Sequence, residues 1–514
     1  MNDLPGFETV ERSKPLDSTA SCKDRLPESE PAPRLKTINR RQLLLRPVDV
    51  ERLVPLDHEV RAIWEFTGGL DLTPYYQDIK AVEGRAGSTA FDPRLLLAIW
   101  IYAYSKGIGS AREISRLCDY DPAYQWLSGM EPIGYHTLSD FRSTHSEALD
   151  ELFAEVLGIL SHEGLVTLEQ VMHDGVKIKA CAGSDSFRRE EKLKAHLDAA
   201  REQVERLKES PEEDLRLQRA RERAAREQKE RLEHALAELA TIREAKSSAK
   251  DKENARASMT DPEARIMKGP GGGYAPAYNA QISTDAANTI IVAAGVSQRP
   301  DDFGELVPAI ERIQETTGSE PSQVVADGGF TSRENIIALD EKGIDFIGSL
   351  QEGNASFQFE KRGVDPAFYP EHFVYDPDTD TCRCPQQKVL TYRRKDKSRS
   401  GKTTFMYQAR AQDCQGCPSR EKCCPGRPRR YITRGVDDPV VIVFIKKMET
   451  EEAKACYKKR GPIAEFPNAW IKDKLGLRQF HLRGLVKAGM EIIWACLTYN
   501  IQQWIRLVWR PRLA

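Results

Sequence analysis

Between Tyr457 and Leu485 the chain reads YKKRGPIAEFPNAWIKDKLGLRQFHLRGL, and one acidic side chain, Glu465, stands there among fixed positive charges. No other carboxylate occurs between Glu452 and Asp473; Tyr457, Lys458, Lys459 and Arg460 precede it, and Lys472, Lys474, Arg478 and Arg483 follow. A carboxylate is a hard oxygen ligand for Mg²⁺, and lysines and arginines around it compensate an anionic backbone. The composition therefore suits metal-assisted chemistry on a phosphate polymer. The competing reading is a solvated basic helix with an incidental Glu.

The spacing decides between them. Tyr457, two residues, Arg460, four residues, Glu465, six residues, Lys472 resembles the Y-R-E-K signature of DDE transposases from bacterial insertion sequences. That family places three residues between Arg and Glu, so this chain departs by one. The resemblance requires two upstream aspartates on strands, each followed by a turn, and VMHDGVKIKA and VVADGGFTSREN supply Asp174 and Asp327. The segments DGVKIKACAGSDSFRR, TDPEARIMKGPGGGYAPAYNAQISTD and ADGGFTSREN resemble further landmarks of the group in the same order.

The resemblance implies that Asp174, Asp327 and Glu465 bind two Mg²⁺ ions, with Mn²⁺ as a substitute, and that Tyr457, Arg460 and Lys472 contact transposon-end DNA. It implies hydrolysis at the 3′ ends of the element and attack of the freed 3′-OH on target DNA. The partners implied are double-stranded DNA, as terminal inverted repeats and as target, and a second copy of the chain in a homodimer assembled on that DNA. The chemistry is consistent with the residues: two cations about 3.5–4 Å apart activate the nucleophile and stabilise the leaving oxygen, and three carboxylates from distant segments suffice to hold them. A stand-alone metal-dependent nuclease could use the same core, and a catalytically inactive DNA-binding derivative is the other alternative. The joint presence of three carboxylates argues against the latter.

Positioning such residues takes a large chain, and 514 residues with 40% hydrophobic content allow about three domains around a sizeable core. A net charge of −2 means that nucleic-acid binding must rest on local patches. No secretion signal and no membrane-length apolar run is visible, which predicts a cytoplasmic protein without membrane contact, nucleoid-associated when DNA-bound. Eleven cysteines, an odd number in such a chain, argue for thiols or metal ligands over disulfides.

The fold class expected is α/β, an RNase H-like core with an N-terminal all-α domain and two insertions. Residues 1–40, rich in Pro, Ser, Glu and Lys, read as a disordered lead-in. Residues 41–165 read as a helical DNA-binding domain: a buried helix at Phe91 with Pro93 in its first turn, a helix capped by Ser110 and broken at Asp121-Pro122, and a helix from Thr137 through Leu157. An all-α packing domain is the alternative. Residues 166–350 read as the first part of the core, with a strand carrying Asp174, a hairpin from YNAQISTD into TIIVAAGVS, and alternating helices and strands through IDFIGSL. Strand alternation turns His173 away from the face of Asp174. Residues 188–255 are a coiled-coil hairpin insertion, with Leu193, Leu197, Ala200, Val204 and Leu207 in one arm, a break at Ser210-Pro211, and Leu232, Leu236 and Leu239 in the other. Residues 441–514 complete the core.

Residues 351–440 form the second insertion. From Gln386 to Arg434 there are 14 Lys or Arg and three acidic residues, a local charge of +11 suited to phosphate contact. Its aromatic residues either stack on bases or pack in strands. Six cysteines compete there for four places around a structural Zn²⁺, with Cys384, Cys414, Cys417 and Cys423 the favoured set; reduced structural thiols are the alternative.

Overall fold

Capping chemistry lays out the first helices. In the computed structural model, which describes residues 45, 47–77, 79, 81, 89–209, 214–269, 271–350, 355–397 and 401–513, the Asp92 carboxylate accepts the Arg94 N–H at the start of helix Pro93–Ser105. Ser110 caps Ala111–Tyr120, and Asp121 ends that helix while capping Pro122–Ser128. The helix expected from Thr137 through Leu157 is instead two, Tyr135–Thr144 and Ser146–His162. His145, at φ −106° and ψ 61°, lies between them outside helical geometry, a one-residue corner that no proline or glycine announces.

Contacts divide the chain into residues 1–49 and 50–514, and the second unit is the one described here. The expected lead-in and the Ser210-Pro211 break fall outside the described residues.

The period then changes to two, and β1 (Gln170–Lys179) opens a six-stranded sheet. The others are β2 (Arg265–Lys268), β3 (Tyr274–Asp285), β4 (Ile291–Ser297), β5 (Gln323–Ala326) and β6 (Asp345–Ile347). β3 runs antiparallel to β1 and carries β2 and β4 along its other edge; β5 lies parallel to β1 on the opposite side, and β6 parallel to β5. Helices Leu306–Thr317 and Arg333–Glu341 make the crossovers, the second capped by Ser332 as expected. This is the RNase H-like core.

Helix Leu485–Trp504 is buried along almost its whole length and closes that core. Its Asn500 satisfies the backbone of β4, accepting the Ile291 N–H at 2.9 Å and donating to the Ile291 carbonyl at 2.8 Å. Such pairing is what a buried amide needs. Trp494 on the same helix packs against Tyr104 and Trp100, so the N-terminal helices and the sheet share one apolar core from Val54 to Trp509. Among the described residues no helix is long and apolar enough to cross a membrane.

Two excursions keep cores of their own. Helices Glu190–Glu209 and Leu215–Glu244 pair antiparallel, with Leu193, Leu197 and Ala200 against Leu232, Ala235 and Leu239. Val204 and Leu207 are only half-buried and Ala235 takes the seam place expected of Leu236, so the apolar seam is tightest near the base, with Ala225 the buried residue farther out on the second arm. The second excursion is an antiparallel sheet of β7 (Val374–Asp376), β8 (Thr381–Arg383), β9 (Val389–Lys397), β10 (Thr403–Ala409) and β11 (Tyr431–Val436) over Phe368, Cys382, Leu390, Tyr407 and Ile432.

Candidate active site

Along β1 the two faces have different work. His173 is buried, its ring nitrogens within 2.9 Å of Ser283 Oγ and 3.0 Å of Gln281 Oε1, and its ring meets Phe330 edge-on. Burial pushes the imidazole down to about 3, so it stays neutral. It is a packing residue that ties the loop after Asp327 to the sheet. Asp174 takes the opposite face, as alternation requires, where Met172 packs against Ala464 beside Glu465.

The parallel register pairs His173 with Ala326, so Asp174 and Asp327 follow paired residues on adjacent strands. Asp327 Oδ1 accepts the Gly329 N–H at 2.7 Å, and its carbonyl accepts the Thr331 hydroxyl at 2.9 Å. A Cβ on Gly329 would stand 3.0 Å from Asp327 Oδ1 and 3.5 Å from Asp302 Oδ2, so a larger residue there would crowd the Asp327 carboxylate. Asp302 was not visible as a site neighbour in the sequence: it sits just before helix Leu306–Thr317 and accepts from Asn279 Nδ2 at 2.7 Å and Gln281 Nε2 at 3.2 Å. The carboxylate lies against Gly175, where a Cβ would come within 2.7 Å of it.

Glu465 ends a π-helical turn, Gly461–Glu465, between helices Glu451–Arg460 and Phe466–Asp473. Pro462 lacks the N–H that an α-helix would use, and a π-turn absorbs one extra residue with i→i+5 pairing. This accounts for the spacing that departs from the family signature. Residues five apart share a face in a π-turn, as residues four apart do in an α-helix, so Arg460 still reaches Glu465. Its guanidinium stands between two carboxylates, with Nη1 3.7 Å from Asp174 Oδ1 and Nη2 3.8 Å from Glu465 Oε1.

Asn468, one turn after Glu465, donates to Asp174 Oδ2 at 2.9 Å, while its own buried Oδ1 has no partner. Burial raises the Asp174 carboxyl to about 6; the Arg460 charge opposes this and the Asp327 charge adds to it. Lys472 is partly buried, which lowers its amine. Tyr457 packs beside Met172, Val325 and Ala464, and Arg460 lies 6.0 Å from its ring centre.

Of the residues singled out in the sequence, the structure thus gathers Asp174, Asp327, Arg460 and Glu465. In the insertion, Cys384, Cys414, Cys417, Cys423 and Cys424 line one small cavity, while Cys382 does not line it and lies in the apolar core of the second sheet, which Cys423 shares. Among the described residues, the one group of three metal-ligating side chains with donor atoms within 4.8 Å of one another is His234, Glu238 and Glu263. The three carboxylates and the thiols stand wider than that.

Two family comparisons match the chain. Residues 48–144 match a transposase domain, and residues 383–505 match a transposase DDE domain. The second stretch contains Tyr457, Arg460, Glu465 and Lys472; Asp174 and Asp327 lie outside both. No curated protein matches the chain.

Proposed function

The chain belongs with the DDE transposases of insertion sequences, and we propose that it cuts DNA at the ends of its element and joins the freed 3′ ends to target DNA, with Asp174, Asp327 and Glu465 as the catalytic residues. The observation that carries this is the convergence of Asp174 and Asp327 on adjacent parallel strands with Arg460 spanning Asp174 and Glu465.

The side chains suit a divalent cation by their own chemistry. Burial and the Asp327 charge both oppose ionisation of Asp174, a cost that a bound cation relieves, and Asn468 leaves a buried amide oxygen unpartnered beside it. Asp174, Asp327 and Glu465 would hold Mg²⁺, as two ions, or Mn²⁺ in its place. When bound, such ions polarise the scissile phosphate and supply a nucleophilic hydroxide at neutral pH.

The chain's own residues do the rest. Asn468 fixes one oxygen of Asp174 and so orients the other. Arg460 compensates Asp174 on one side and Glu465 on the other, and its guanidinium suits the charge of a DNA phosphate. Lys472 and Tyr457 flank the same helices for backbone contact. The Asp327 turn is held by its own backbone bonds and by the His173–Phe330 packing.

In this reading the helical residues 41–165 bind the inverted repeats, residues 166–350 and 441–514 make the catalytic core, residues 351–440 add a basic insertion, and a homodimer assembles on double-stranded DNA at the nucleoid. Cys384, Cys414, Cys417 and Cys423 hold a structural Zn²⁺, whose binding draws the thiols together. The test is a joining assay with purified protein, Mg²⁺, and DNA carrying the sequences that bracket the gene. Cleavage at the 3′ ends followed by joining to a plasmid is expected; cleavage with no joining reduces the protein to a nuclease, and neither product refutes the reading.

A further inference from the structure

The sheet of the insertion has one face on its apolar core and one in solvent. On the open face the cross-strand sets Thr391, Gln408, Tyr431 and Arg394, Met406, Thr433 floor a trough of about 1010 Å³. A register shift in β9 after Tyr392 brings Arg393 to its wall, while Tyr392, paired with Tyr407 and packed against Tyr407 and Phe405, belongs to the other face.

The trough's charge is one-sided. Arg362, Arg393, Arg410 and Arg427 stand exposed on its walls, and no acidic residue lines it. Arg394 is paired with Asp396 at 2.8 Å, but those four have no carboxylate partner among the described residues. By contrast, Arg201 is paired with Glu233 and Arg265 with Glu238. Unmatched guanidinium groups crowded into one concavity repel each other until a polyanion compensates them, and their planar fork suits phosphate oxygens.

The same surface carries a ring. Tyr431, paired with Gln408 on the open face, lies on the floor between cationic walls. A duplex offers such a surface its phosphates alone, because its bases are already paired and stacked; rings between cations reach bases only when a strand is open. We propose that the trough of β9, β10 and β11 holds a single DNA strand, with its arginines on the phosphates and Tyr431 against an unpaired base. The inference rests on the transposase reading for the identity of the polymer as DNA.

The experiment uses the full-length chain in EDTA, with labelled oligothymidylate and a duplex of equal length as probes. The triple variant Arg393→Gln, Arg410→Gln, Arg427→Gln is expected to lower the slope of log affinity against log salt on oligothymidylate by about 2, at about 0.7 per lost phosphate contact. Tyr431→Ala is expected to weaken oligothymidylate about tenfold and leave the duplex unchanged. A Tyr431 variant that weakens both probes equally, or neither, overturns the single-strand assignment, and an unchanged salt slope in the arginine variant overturns the site. If the wild-type chain cuts DNA with Mg²⁺ while its oligothymidylate binding ignores all four substitutions, the trough fails and the transposase reading stands. A chain that neither cuts DNA nor binds oligothymidylate refutes both.

Discussion

Asp174, Asp327 and Glu465 are drawn from segments 153 and 138 residues apart, whereas the arginines of the trough come from one stretch folded on its own small core. The first region needs the whole fold. Asp174 depends on strand register, Asp327 on a glycine turn against Asp302, and Glu465 on a π-turn that keeps Arg460 in reach. The second needs only a sheet with a solvent face. The difference teaches where strain is tolerated: the acidic region concentrates like charge in a partly buried place and pays in stability, while the basic region gathers its charge in an exposed trough where water weakens the repulsion that a polyanion would remove.

The largest expected effect follows from that contrast. Asp174→Asn should lower DNA cleavage by roughly a thousandfold or more, since losing a metal-holding carboxylate removes several kcal/mol at about 1.4 kcal/mol per decade. The same variant should be more stable than wild type in chelator. A carboxylate raised from 3.8 to about 6 costs the folded state its ionisation energy above pH 6, about 3 kcal/mol at most, and that cost fades as pH falls toward 3.8. Urea denaturation at pH 7 and at pH 4 checks this: the gain should be present at pH 7 and gone at pH 4. Equal stability at pH 7 would mean that the site is not strained.

His173 acts with the opposite sign. Its folded value of about 3 lies below the ordinary 6.5, so the unfolded chain binds the proton first and stability falls as pH drops from 6.5. The slope from this one group is about 1.4 kcal/mol per pH unit. His173→Gln should flatten the acid limb of the stability curve, and an unchanged limb would place the acid sensitivity elsewhere.

Smaller effects separate the insertions from the core. One Zn²⁺ per chain is expected from metal analysis of reduced protein, and chelation should loosen the insertion's sheet in hydrogen exchange while leaving the exchange of β1 and β5 unchanged. Absence of zinc would leave the cysteines as structural thiols. Joining Arg189 to Asn254 through a Gly/Ser turn should leave the fold nearly as stable as before, because those residues already touch at 2.7 Å beside the paired strands Phe187–Arg188 and Ala257–Ser258. Aggregation of that deletion would show that the helical arms pack on the core.

Local signals in the sequence are legible where one residue decides one structure. Ser110, Asp121-Pro122 and Ser332 mark helix boundaries as expected, and Asp174 lies on its strand with His173 turned inward. The misses share a cause, which is that their partners are distant in sequence. Nothing near Asp302 shows that Gly175 and Gly329 leave room for its carboxylate, and nothing near Asn468 shows that Asp174 is its acceptor. The irregular gap between Arg460 and Glu465 is visible in the sequence, and Pro462 inside it is the local signal of the π-turn, whose effect on Arg460 shows only once Asp174 is in place. In the insertion, composition gave the charge; the face on which it gathers needed the strand register.

The central claim is that Glu465 joins Asp174 and Asp327 in one catalytic pocket. Glu465→Gln keeps the size of the side chain and removes its charge, and its exposed position makes it harmless to the fold. The measurement is cleavage and joining by this variant with Mg²⁺ on DNA carrying the element's ends, with DNA binding and melting temperature followed in parallel. Loss of both products with binding and melting temperature unchanged is the predicted result, and Glu449→Gln, Glu451→Gln and Asp473→Asn should keep wild-type activity. Cleavage and joining by Glu465→Gln at the wild-type rate would contradict the account.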